Sequence, residues 1–125
     1  MSRIMIVDDE EAIREIMTLF LKRDGHDITA ISSGSEAVRN FKSSLNSGAP
    51  FDLVILDANI PGDIGAVEII KSIKEHDPDI SAVITSGDSV GGAMKKPEDF
   101  GFDRALKKPF KSADLINLVK SLVNS

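Results

Sequence analysis

Four points in the chain place polar side chains at the end of a short run that reads as a strand, and together they hold the parts of a phosphoryl-transfer site. Ile4-Met5-Ile6-Val7 leads into Asp8-Asp9, and Leu53-Val54-Ile55-Leu56 leads into Asp57. Ile80 to Ile84 leads into Thr85-Ser86, and the segment from Arg104 to Lys107 ends at Lys108. Three crowded carboxylates repel, and each resists ionising unless a cation sits among them. Oxygen donors in a chain without cysteine suit a hard cation, and magnesium is the expected one. A lysine amine and a serine hydroxyl on the same edge would supply a point charge and a donor for phosphoryl oxygens. Carboxylate, hard cation, ammonium and hydroxyl are the parts that phosphoryl transfer to a carboxylate needs. Each residue alone also has a plain structural reading. Asp57 could close a turn, Asp9 could cap a helix and Lys108 could be a solvated charge. Four such hits at the ends of these runs are hard to attribute to chance.

Those positions make sense only if the runs are strands of one sheet. Leu53 to Leu56 is short, rich in β-branched residues and has no polar alternation, as expected of a strand covered on both faces. Pro61, Gly62 and Gly65 stop it and turn the chain. Arg3 to Val7, Ile28 to Ile31, Ile80 to Ile84 and Arg104 to Lys107 complete a set of five strands. Between them lie amphipathic helical patterns. Ile13, Ile16, Met17 and Phe20 mark the first, which Gly25 stops. Ser33 and Glu36, at capping-box spacing, open a second with Ala37, Val38, Phe41 and Leu45 inward. Ala66, Ile69, Ile70 and Ile73 mark a third, ending at His76-Asp77-Pro78. Ser112 is expected to cap a last helix with Leu115, Ile116, Val119 and Leu122 inward. The segment from Ser89 to Phe100 is the least helical, because Gly91, Gly92 and Pro97 oppose a regular helix. His26 and His76 fall in expected turns and read as exposed loop residues. Strands alternating with helices imply βαβ units with right-handed crossovers, hence an α/β fold with helices on both faces of a five-stranded parallel sheet. In such a sheet the carboxyl ends of the strands form one edge, where ligands bind.

Composition sets the outer limits. The 125 residues fit a single domain, residues 1–125, and 42% hydrophobic content is ordinary for a globular protein. No apolar run approaches the ~18 residues of a membrane span, and the first residues lack a signal-peptide pattern. Absence of cysteine is compatible with a cytoplasmic location. A net charge of −5 opposes direct nucleic-acid binding, which needs a basic face.

With IVDDE, LDANIPGDIG, ITSGDS and KKPF in this order and spacing, the chain resembles the receiver (CheY-like) domain of response regulators over nearly its whole length. The resemblance implies a doubly wound, flavodoxin-like sheet in the order 2-1-3-4-5. It implies a phosphoacceptor in two-component or phosphorelay signalling. Asp57 would take a phosphoryl group from a phosphohistidine on a partner histidine kinase or phosphotransfer protein. Asp9, Asp57 and the backbone carbonyl of Asn59 would bind magnesium directly, with Asp8 acting through water. Lys108 would contact the phosphoryl group. Ser86 would be the switch hydroxyl, preferred over Thr85 by its spacing to Lys108.

Two features depart from the family pattern. Ala105 stands where the family has its switch aromatic, and the Ser89 to Phe100 segment is poor in helix formers for the face that usually signals. The SGDS and EDFGF phrasing is similar to receivers attached to hybrid sensor kinases, which leaves open a place within a longer protein. Turnover of an external substrate is not expected. The alternatives are a small magnesium-dependent phosphohydrolase with an aspartyl nucleophile, and a docking pseudo-receiver that is never phosphorylated. The first would need chain length for a substrate cap, and the second would be marked by loss of an acid or of the lysine.

Overall fold

The computed structural model of the chain describes residues 2–60, 64–87 and 92–123. Five strands, β1 (Arg3–Val7), β2 (Asp27–Ile31), β3 (Leu53–Asp57), β4 (Ser81–Ser86) and β5 (Arg104–Lys107), form one parallel sheet ordered β2-β1-β3-β4-β5. The helices are α1 (Glu11–Arg23), α2 (Gly34–Asn46), α3 (Ala66–His76), α4 (Gly92–Lys95) and α5 (Ser112–Val123), with a 3-10 turn at Pro97–Phe100. The flavodoxin-like doubly wound order expected from the sequence is therefore the observed one.

Strand alternation builds two cores from one sheet, because successive side chains point to opposite faces. Ile4, Ile6, Leu53, Ile55, Val83 and Leu106 pack with Met17 and Leu21 of α1 and with Leu115 and Val119 of α5. Met5, Val7, Val54, Leu56, Ala82 and Ile84 pack with Ala37 and Phe41 of α2 and with Ile69, Ile70 and Ile73 of α3. β3 is buried at all five positions, which explains its unbroken apolar sequence.

Local signals set the helix ends. Ser33 Oγ accepts a hydrogen bond from the Glu36 amide at 3.3 Å and so caps α2. Gly25, just past α1, sits at φ 91°, where a side chain would be strained. Ser112 does not cap α5; it is the first helical residue, and the preceding Lys111 carbonyl accepts the Leu115 amide instead.

Two further expectations are corrected. Ile16 is 44% exposed rather than inward, because α1 buries the Met17–Leu21 stripe. His26 is not an exposed loop residue. Its side chain is only 10% exposed, its amide donates to the Leu21 carbonyl, and its Nε2 lies 3.4 Å from Asp24 Oδ2. The segment before Phe100 is, as its sequence implies, barely helical: one turn of α4 precedes Pro97, which lacks the amide a helix interior needs and starts the 3-10 turn. Pro61, Gly62 and Asp63 of LDANIPGDIG, Asp88 and Ser89 of ITSGDS, and Val90 and Gly91 after them lie outside the described residues.

Candidate functional site

The strand order makes neighbours of the polar ends. β1 and β3 lie side by side with Val7 opposite Leu56, so the next residues, Asp8 and Asp57, stand together where the pairing ends. On the other side of β3, Asp57 is opposite Thr85. Ser86 ends β4, and the Lys108 amide just after β5 donates to the Ser86 carbonyl at 2.8 Å. All four polar clusters therefore open on one edge of the sheet, as the topology requires.

Asp8 and Asp57 are 1% and 3% exposed. Burial of ionised carboxylates is unfavourable unless each finds donors or opposite charge. Asp8 Oδ1 accepts the Glu10 amide at 2.9 Å, and its Oδ2 accepts Lys108 Nζ at 2.7 Å. The Asp8 carbonyl accepts Arg14 Nη1 at 2.7 Å, tying the strand end to α1. Asp57 Oδ1 accepts the Asn59 amide at 3.2 Å, and its Oδ2 lies 3.5 Å from Lys108 Nζ. Burial raises the Asp57 carboxyl above the usual carboxylate range, opposed first by the Asn59 amide, and the Asp8 charge adds to the rise while Lys108 works against it. For Lys108, burial acts downward. The hydrogen bond to Asp8 and the charges of Asp57, Asp8 and Glu10 outweigh it, so the ammonium is held above its ordinary value.

These side chains line a cleft of about 690 Å³ formed by Asp9, Glu10, Ile13, Asp57, Asn59, Gly87, Lys108 and Pro109. The Lys108–Pro109 peptide is cis. Asp8, Asp9, Glu10 and Asp57 each present a carboxylate oxygen within 4.8 Å of the others, an all-oxygen donor set that fits a hard divalent cation. Asp9 is exposed at the cleft. Asn59 bridges to β4, its Nδ2 donating to Ser86 Oγ at 3.4 Å. Thus Asp8, Asp9, Asp57, Asn59, Ser86 and Lys108, separated by as many as 100 positions in sequence, meet at one edge. Ala105 packs against the α2/α3 core, as do Ala93 and Met94 of α4, and presents no ring there.

Glu10 belongs to this site and was not singled out by its sequence position. Its Oε1 lies 3.6 Å from Lys108 Nζ. It occupies the N-cap position of α1, yet its side chain accepts no capping hydrogen bond. Glu is not among the residues favoured as N-caps, and that mismatch was the available signal.

The profile of the response regulator receiver domain matches residues 4–120. The transcriptional regulatory protein ResD of Bacillus subtilis is 28% identical over 122 residues, which are 98% of this chain and 48% of ResD. The chain thus spans about half the length of that relative. Among solved structures, the response regulator protein TrrA of Thermotoga maritima, in complex with Mg(2+)-BeF, is 31% identical with a TM-score of 0.83, covering 98% of this chain and 99% of TrrA. A response regulator receiver domain protein from Clostridium thermocellum superposes with a TM-score of 0.86 at 26% identity, covering 99% of this chain and 95% of that one. A match to the receiver profile over nearly the whole chain, on a sheet ordered 2-1-3-4-5, places this protein in the response regulator receiver family of two-component signalling.

Proposed function

We propose that the chain acts as a single phosphoacceptor unit whose nucleophile is Asp57. The observation that carries this reading is the position of Lys108, whose Nζ lies 2.7 Å from Asp8 and 3.5 Å from Asp57 at the buried end of β3. One Asp57 carboxylate oxygen attacks the phosphorus of a phosphohistidine on a histidine kinase or phosphotransfer protein. The nitrogen–phosphorus bond breaks, an acyl phosphate forms, and the departing imidazole keeps the bonding pair. Lys108 follows the charge from the carboxylate to the phosphoryl oxygens, which takes a short displacement because it already borders Asp57. Ser86 Oγ, which accepts from Asn59 at the rim of the sheet, would have to turn towards Asp57 to donate to the same oxygens.

Asp8, Asp9, Asp57 and the Asn59 carbonyl are the groups that would hold magnesium, which would neutralise the charge gathering between carboxylate and phosphoryl group. The donor set supports this, as does the TrrA structure with magnesium and beryllofluoride, a stand-in for a phosphoryl group. The chemistry is confined to the protein's own aspartate, with no external substrate turned over. Among the described residues no helix is long and apolar enough to cross a membrane, which is consistent with the cytoplasmic setting we assign. Because the chain spans about half of ResD, what the phosphorylated domain controls is a matter for the whole protein.

Acetyl phosphate with magnesium should add one phosphoryl group to the native protein and none to Asp57→Asn, read by intact mass. Equal labelling of the two would remove Asp57 from its role.

A further inference from the structure

Glu10 has a side chain that its place in the fold does not require. Its backbone is fully used, the amide donating to Asp8 Oδ1 at 2.9 Å and the carbonyl accepting the Arg14 amide at 3.1 Å. The helix would form with any residue able to make those two bonds. The carboxylate does not turn back onto the first helical amides, as an N-cap side chain does. It reaches across the cleft to Lys108, 3.6 Å away, while remaining 61% exposed. Asp8 and Asp57 are buried beneath it, at 1% and 4% side-chain exposure. Glu10 is therefore an exposed charge on the lining of the cleft into which Asp57 opens.

We infer that Glu10 is a specificity-determining residue that selects against small anionic phosphodonors. This inference rests on Asp57 being the phosphoacceptor. Two effects act together. Asp9, Glu10 and Asp57 line the cleft, with the Asp8 carboxylate grouped with them, against the single ammonium of Lys108, so that even with a divalent cation held there a free phosphoanion approaches against net negative charge. Glu10 also gives Lys108 a third counter-ion, and the ammonium must loosen from it to meet the incoming group. A free donor brings only its own negative charge to this cleft. A phosphohistidine arrives on a protein surface whose docking contacts contribute to association independently of Glu10, so the same repulsion is a smaller share of its barrier.

The probes are acetyl phosphate, a dianion at neutral pH, and phosphoramidate, a monoanion. Each is used with magnesium on the native protein, Glu10→Gln and Glu10→Asp, and Asp57 labelling is followed by intact mass. Removing one like charge several ångströms from a dianion at low salt should raise the labelling rate about three- to ten-fold. Glu10→Gln is expected to show that gain with acetyl phosphate, a smaller gain with phosphoramidate, and neither in high salt, where screening removes the field. Glu10→Asp keeps the charge and should show no such gain. In the metal-free Glu10→Gln protein, the Lys108 side-chain nitrogen resonance should shift, because the ammonium has lost a partner. A purely structural change would alter neither the donor-charge dependence nor the salt dependence. Equal rates for native and Glu10→Gln, or a gain that is the same for both donors and persists in high salt, would overturn the inference while leaving Asp57 as acceptor. Absence of label on Asp57 in the native protein from either donor would overturn both.

Discussion

Asp57 carries its charge at the expense of the fold. Its carboxyl is held above the ordinary range chiefly by burial, so the folded state binds that proton more tightly than the unfolded state does. A raised carboxyl favours folding at low pH, and the unfavourable contribution grows as pH climbs through the folded value. Asp57→Asn is therefore expected to raise the melting temperature at neutral pH without magnesium. The gain should disappear below about pH 4, where the unfolded carboxyl is itself protonated. Melts of the two proteins across pH would show it, and a gain independent of pH would contradict the assigned cause. The principal acids and Lys108 were readable in the sequence because each follows a run that reads as a strand, and a buried parallel sheet leaves only one place for such residues. Glu10 was not readable in the same way. Its role depends on a side-chain direction across the cleft, and a run of four acids leaves that direction open.

At the level of elements, apolar spacing succeeded where a helix buries a broad face and failed where it buries a narrow one. All four expected residues of α3, Ala66, Ile69, Ile70 and Ile73, are buried. In α1 only Met17 and Leu21 are, and Ile16 falls outside the stripe. His26 was misread because a turn was expected to be wet, whereas this one folds back beneath Asp24, which lies 3.7 Å from Lys120 of α5. The seam between α2 and α3 is close-fitting. A Cβ added at Gly34, the first residue of α2, would lie 2.7 Å from Ile69 Cδ1 and 2.8 Å from Ile64 Cγ1. Gly34→Ala should destabilise by about 1–3 kcal/mol in chemical denaturation, since both neighbours must give way. The α4 region is built in the opposite way. It offers one helical turn, a 3-10 turn and no buried residue in either, so few contacts oppose its rearrangement. With Ala105 in place of a ring, the rotamer change of the familiar receiver switch has no side chain to act through. Amide exchange with and without a beryllofluoride mimic should report phosphorylation across residues 87–100. Changes confined to Asp57 and the loop that follows it would instead point to direct recognition of the phosphorylated loop.

Taken as a whole, the molecule couples its site to its stability. Asp8 and Asp57 both sit at the inner strands of the sheet, so their mutual repulsion acts on the centre of the fold rather than on a loop. A cation bound only by the folded state stabilises every element at once. Magnesium at ~100 times its dissociation constant should add roughly 2.7 kcal/mol by linkage. That increment should appear as a single shift of the cooperative melt, and Asp9→Ala should diminish it. An equal shift in Asp9→Ala would remove that residue from the ligand set.

The alternation along two strands has a final consequence. Asp57 lies on the same side of β3 as Leu53 and Ile55, towards α1 and α5, whereas Ser86 lies on the same side of β4 as Ala82 and Ile84, towards α2 and α3. Below these two residues the paired strands are largely apolar and buried on both faces. The bond from Asn59 to Ser86 passes over their ends, at the rim of the sheet. A charge arriving at Asp57 would therefore have this rim bond, rather than the apolar interior, as its route to Ser86. That route spans about one strand spacing, roughly 4.8 Å, along the rim where the two apolar compartments meet.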